Sequence, residues 1–328
     1  MKIRKHLCIA LVIFLLSTIT AACGGSAPVV SPTADASAKE PTESVGLYPR
    51  TISDAKTSSV ELKAHPERIA VMDYVIFSHL VSLDYFPAAA KMFNSYITKM
   101  PAVKPLLKDR EIIDLGEWEG INLEKTASVE PDLILASTAD ADKVYEHLGA
   151  IAPVVFFDPQ KMGNTETDWK WGIREVAKVI AQEKKAEEVI IKTEQAMAEN
   201  KPAFAAHSNE SVVFSFYSDS RGGFVLQSYK AMRVYYEGLG LKPAIENDAM
   251  QTLSLEGMLE LNPDHLFIFE ADSGATEKEI EELKKNKVWH SLSAAKQNHV
   301  YFLDSSIGVM SPVNILYGIE EIDKAMNR

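Results

Sequence analysis

Short apolar runs alternate along most of this chain with stretches of helical spacing. Ile69-Ala70-Val71-Met72 is bounded by Pro66 and Asp73 and reads as a buried strand. A helix is expected over 74–84, and Phe86-Pro87-Ala88-Ala89-Ala90 reads as a turn into a second strand. Ile112–Leu115, closed by Gly116, reads as a third strand, and Asn122 caps a helix to about Val129. Pro131-Asp132 introduces the strand Leu133–Ala136. Strands that alternate with helices predict an α/β body with mostly parallel sheets.

The chain repeats itself. Asn122-Leu123-Glu124…Pro131-Asp132-Leu133 is echoed by Ser254-Leu255-Glu256…Pro263-Asp264-His265, with Leu-Glu and Pro-Asp at a constant offset of 132. Downstream, Tyr145–Leu148 and Val155–Asp158 are echoed by Trp289–Leu292 and Tyr301–Asp304 with a drifting offset, as a loop insertion produces. Two Rossmann-like α/β lobes explain this; the period is too long for a solenoid. Between them Ile173, Val176, Ala177 and Ile180, then Ala186, Val189, Ile190, Thr193 and Met197, fall at helical spacing. A break is expected near Ala181-Gln182. A helix from Glu183 to Asn200 would be about 27 Å long, enough to cross one face of both lobes.

The first residues belong to neither lobe. Lys2, Arg4 and Lys5 precede an apolar run, Leu7–Leu16, and the small residues before Cys23. This is the pattern of an export signal covering 1–22. Residues 23–59 are rich in Ala, Ser, Thr and Pro and read as a flexible tether. The expected order is then a first lobe over 60–165, a helical connector over 166–206 and a second lobe over 207–328.

Of the 328 residues, 34 are Lys or Arg and 46 are Asp or Glu, a net charge of −12. A sequence-independent nucleic-acid binder needs the opposite sign. The only cysteine besides Cys23 is Cys8, inside the apolar run, so the mature chain can form no internal disulfide. There is no HxH, CxxC, HExxH, Walker A, GxGxxG or GxSxG pattern, and the eight histidines are scattered. Enzymatic function and a zinc or manganese centre with ordinary ligand spacing are therefore disfavoured.

The chain resembles the helical-backbone class of ABC-transporter substrate-binding lipoproteins, in particular the iron-siderophore and cobalamin group. The resemblance rests on Pro66–Val71, the first Leu-Glu…Pro-Asp segment, Ile151–Asp158, the second Leu-Glu…Pro-Asp segment and Val288-Trp289…Ala295–Asp304, in that order over residues 60–326. It implies lipidation of Cys23, although Thr20 stands where Leu is usual, and an anchor on the outer face of the cytoplasmic membrane. It also implies partnership with an ABC permease dimer and its ATPase, docked through one glutamate on each lobe, here Glu124 and Glu256. No catalytic residue, resident metal or cofactor is implied. The ligand expected is a ferric siderophore, which brings its own iron; cobalamin and haem are the alternatives. A monomer is expected.

Such a ligand should sit between the lobes, on loops at the carboxyl ends of the strands. On the first lobe the candidates are Tyr74, Lys91, Phe93, Tyr96, Trp118 and Ser137. Trp169, Arg221, Tyr229, Lys230, Arg233 and Ser306 follow. Trp118 comes directly after a strand end and is either an aromatic wall or a lid on its own lobe. Arg221 is either a partner for ligand oxygens or a solvated hairpin charge. Lys230 and Arg233 fall near a helix start, where the helix dipole does not favour them; Tyr235-Tyr236 in the same helix reads as core. No dense Arg/Lys cluster is visible, which leans towards a less charged hydroxamate chelate over catecholate or citrate-type ones.

Overall fold

The chain enters its folded body through an antiparallel hairpin, β1 (Arg50–Asp54) and β2 (Ser58–Leu62). The computed structural model describes residues 47–108, 110–117, 120–138, 146–158, 169–270 and 277–327. Cys23 and the export segment lie outside them. The hairpin corrects the expected tether, which ran to residue 59. Its composition is polar, but Ile52 and Leu62 are buried, and so is Asp54. That carboxylate accepts the amides of Lys56 (3.0 Å), Thr57 (2.5 Å) and, from the neighbouring sheet, Phe156 (2.6 Å). A buried carboxylate fully engaged by backbone donors holds the turn and fastens it to the first lobe.

The first lobe is one parallel sheet: β3 (Ile69–Val71), β4 (Ala89–Ala90), β5 (Ile113–Asp114), β6 (Leu133–Ser137) and β7 (Val154–Phe157), in the order β5-β4-β3-β6-β7. Every residue of β3, β6 and β7 is buried, as expected for parallel strands covered on both faces. Helix α1 (Tyr74–Ser82) follows β3 and starts on Asp73, whose Oδ1 accepts the amides of Val75 and Ile76. Helix α2 (Leu123–Ser128) starts on Asn122.

Two helices then run against each other. α3 (Trp169–Val179) ends shortly before Ala181, whose φ of 53° breaks the helix, and α4 (Glu183–Asn200) returns antiparallel to it. Arg174 Nε and Nη2 pair with both carboxylate oxygens of Glu187 at 2.7 and 2.9 Å, and this bond holds the Glu187 carboxyl below its usual range. Lys170 pairs with Glu194 further along. α4 is the long helix expected from the spacing; α3 folds back onto α1, where Gly172 meets His79.

The second lobe has the strand order β11-β9-β8-β12-β13, with β10 also paired to β8. Its strands are β8 (Ser211–Ser218), β9 (Gly223–Leu226), β10 (Lys242–Pro243), β11 (Gln251–Leu253), β12 (His265–Glu270) and β13 (Val300–Asp304). β8, β10, β12 and β13 are parallel, whereas β9 and β11 add an antiparallel edge. The edge depends on Gly223: at φ 131° a Cβ would stand 2.4 Å from the Leu253 carbonyl oxygen. Helix α5 (Tyr229–Leu239) crosses one face, with Tyr235 and Tyr236 buried. α6 (Leu255–Leu261) starts on Ser254.

The repeat has a physical basis. Asn122 Oδ1 accepts the Lys125 amide at 2.9 Å, and Ser254 Oγ accepts the Gly257 amide at 3.1 Å. Asp132 accepts the amides of Glu67 and Arg68 at the mouth of β3; Asp264 accepts the amide and hydroxyl of Ser211 at the mouth of β8. In each lobe the Pro-Asp aspartate pins the start of the central strand beside its own.

The last helix, α7 (Pro312–Asn327), does not stay with the second lobe. It packs on α1 and α4, and the Val313 amide donates to Ser82 Oγ at 3.2 Å. One apolar core therefore passes from Ile76 through Trp169 and Ile190 to Tyr235 and Ile315. The lobes share a continuous interior as well as a connector.

Candidate functional site

The carboxyl ends of the two sheets meet. Tyr96, on the segment after β4, places its hydroxyl 3.4 Å from Oγ of Ser305, the residue after β13. Tyr74, first residue of α1, packs edge-on against Tyr96 with ring centroids 5.0 Å apart. Burial, then the neighbouring Tyr96 and Asp73, push the Tyr74 phenol above its usual range, so it stays protonated. Ser305 was not singled out from the sequence; its position directly after an apolar strand is the signal that marks it.

The other strand-end candidates lie at different depths. Lys91 follows β4 and is buried, its amide donating to the Val71 carbonyl at 2.9 Å. Phe93 turns into the first-lobe core beside Phe77, 6.2 Å between centroids, and its amide is held by Asp114 Oδ1 at 3.2 Å. Ser137 ends β6 and is buried. Ser306 is fully buried; its amide donates to Asp304 Oδ1 at 2.8 Å, and its Oγ has no hydrogen-bond partner among the described residues.

A second group gathers on α5. Trp169, Lys230 and Arg233 line a hollow of about 300 Å³ with Glu194, Met197 and Met310. Tyr229, Lys230 and Arg233 line another, of about 520 Å³, with Glu237, Glu246 and Asp248. Here the cations are answered by acids. Lys230 Nζ lies 3.5 Å from Asp248 Oδ1, and Arg233 Nε 4.0 Å from Glu237 Oε1. Tyr229 stacks on Tyr236 at 5.5 Å and donates to Glu237 Oε1 at 3.0 Å. Burial and that bond raise its phenol pKa. The larger hollow thus has two cations facing three carboxylates.

Arg221 lies exposed on the tight turn between β8 and β9 and lines neither hollow. Trp118 lies outside the described residues. Glu124 and Glu256 are both exposed, each the second residue of its helix, one on each lobe. Among the described residues no helix is long and apolar enough to cross a membrane.

Two α/β lobes joined by a long helix, with strand ends of both meeting at Tyr96 and Ser305, make the two-lobe plan of a binding protein. Residues 70–307 match the periplasmic binding protein family, and the chain belongs to it. Its members serve transporters as binding proteins, not as enzymes. The chain is 28% identical over 305 residues to the iron-uptake system-binding protein of Bacillus subtilis (strain 168), covering 90% of each chain. It is 26% identical to the iron(3+)-hydroxamate-binding protein FhuD of the same organism, covering 92% of this chain and 91% of that one. Among solved structures, the triscatecholate siderophore binding protein FeuA from Bacillus subtilis, complexed with ferri-bacillibactin, superposes with a TM-score of 0.67 at 25% identity. That match covers 84% of this chain and 98% of FeuA.

Proposed function

We propose that this protein is a lipid-anchored receptor on the outer face of the cytoplasmic membrane that binds a ferric siderophore between its lobes and delivers it to an ABC importer. The observation that carries the reading is the Tyr96–Ser305 contact: strand ends of both lobes converge there, in a chain whose relatives are named for iron and siderophore binding. Tyr74 and Tyr96 supply aromatic area at low entropic cost, and Trp169, Lys230 and Arg233 supply an apolar wall and positive charge. The chelate holds the iron, so the protein provides none of its ligands.

The acids around Lys230 and Arg233 favour a less anionic chelate, of hydroxamate type, because they already answer these cations and leave no net positive charge for a highly charged catecholate. Docking to the permease falls to Glu124 and Glu256, exposed at matching helix starts on the two lobes. The test is uptake of radio-iron presented as a ferric chelate by cells carrying Glu124→Gln together with Glu256→Gln. Uptake should be lost while the purified variant binds the chelate as the parent does. Unchanged uptake would remove the docking assignment.

A further inference from the structure

Three residues far apart in the sequence converge at the amino-terminal edge of the second sheet, opposite to the edge where Tyr96 meets Ser305. His207 closes the 3-10 turn after α4, Glu210 leads into β8, and His265 opens β12. Glu210 Oε2 lies 2.5 Å from His207 Nδ1 and 2.8 Å from His265 Nε2, and the three ligand atoms all fall within 4.8 Å of one another. We propose that His207, Glu210 and His265 form a binding site for a divalent transition metal of the zinc class, separate from the ligand cleft.

The chemistry of the donors selects the ion. Two imidazoles and one carboxylate suit zinc and its neighbours, whereas calcium and magnesium require oxygen donors. Zinc holds nitrogen and oxygen ligands at about 2.0–2.2 Å, so ligand atoms around it stand about 3.3 Å apart. Glu210 therefore retreats by less than about 1 Å as the ion replaces the two ring protons that now bridge to it. Its side chain is 39% exposed and has room to do so, while His207 is 20% exposed and His265 fully buried. The open side leaves the fourth position to water.

The surroundings support the outer layer that such sites need. His265 Nδ1 lies 3.1 Å from the Tyr301 hydroxyl, whose oxygen can accept the Nδ1 proton once Nε2 holds the ion. Its ring stacks on His299, 4.4 Å between centroids and 5° between planes. His207 stands edge-on to it at 5.3 Å. An ion here ties the end of the connector to β12 and braces the second lobe where the connector joins it.

The experiment uses tag-free protein stripped with EDTA, titrated calorimetrically with Zn²⁺ and spectroscopically with Co²⁺. One equivalent should bind, with the intense visible bands of low-coordinate cobalt, and zinc should raise the melting temperature. His207→Ala and Glu210→Ala, at partly exposed positions, should keep the parent circular dichroism and weaken zinc binding by more than about 100-fold. Tyr301→Phe should weaken it by roughly 10-fold as an outer partner. Binding that survives both ligand substitutions, or a parent protein that takes up no stoichiometric zinc, overturns the site.

Discussion

The hydroxyl of Tyr96 and the Oγ of Ser305 lie 3.4 Å apart although 209 residues separate them. The pair joins the segment after β4 in the first lobe to the segment after β13 in the second. A bond of that length contributes little by itself; its value is positional, since it marks where the lobes face each other. Tyr96→Ala removes the ring that packs on Tyr74. It should weaken ferric-chelate binding by about 10-fold, the scale of one aromatic contact, and leave the melting temperature within a few degrees. Fluorescence titration of parent and variant checks this; equal affinities would take Tyr96 out of the ligand wall.

Gly318 on α7 lies directly against Tyr235 of α5. A Cβ at this position would stand 2.1 Å from the hydroxyl oxygen of Tyr235, which is fully buried and donates to the Ile307 carbonyl at 2.9 Å. Neither partner has space to yield. Gly318→Ala should cost about 1–3 kcal/mol or more by overpacking. Adding Tyr235→Phe should restore part of that loss, because the clash is first with the hydroxyl. A urea-unfolding double-mutant cycle measures the coupling, and strict additivity would contradict the contact.

The paired aspartates make a symmetric prediction. Asp132→Ala frees the amides of Glu67 and Arg68, and Asp264→Ala frees the amide and hydroxyl of Ser211. Each should destabilise by about 1–3 kcal/mol, the cost of leaving charge-assisted bonds unmade. Unfolding midpoints of both variants below the parent would support the shared role; a neutral result at either would separate the lobes' designs.

His79 supplies a pH dependence. It is fully buried beside Gly172, and neither ring nitrogen has a hydrogen-bond partner among the described residues. Burial alone pulls its pKa down to about 3. In the unfolded chain it titrates near 6.5, so below that pH the unfolded state takes up a proton that the folded state refuses. The stability is whole above about pH 6.5 and falls as pH drops towards 3, by up to about 1.4 kcal/mol per unit. His79→Leu should flatten the unfolding free energy between about pH 6 and pH 4 relative to the parent. Parallel curves would mean that the ring finds a proton acceptor.

The apolar runs at Ile69 and Leu133 foretold their strands because parallel strands buried on both faces carry their signal in composition alone. The cap at Asn122 was legible because it is a local bond between a side chain and nearby backbone. Three features were not legible. The β1–β2 hairpin is held by Asp54, a buried polar residue whose partners include the Phe156 amide from 102 residues away. The return of α7 onto α1 depends on tertiary packing that no periodicity records. The meeting of His207, Glu210 and His265 is a product of strand order, and no spacing motif encodes it. At the candidate site the residue types were readable from the strand ends, but which of them face each other was not. Phe93 and Ser306 turn inward, while Trp169 joins Lys230 and Arg233.

The most direct test of the receptor reading is a tryptophan-fluorescence titration of the purified protein. Ferric hydroxamate, catecholate and citrate-type chelates, cobalamin and haem are compared, with iron-free chelators as controls. Saturable quenching at sub-micromolar concentration is expected with a ferric chelate, the hydroxamate foremost, and not with its iron-free form. A folded protein that responds to none of the ferric chelates would contradict siderophore binding.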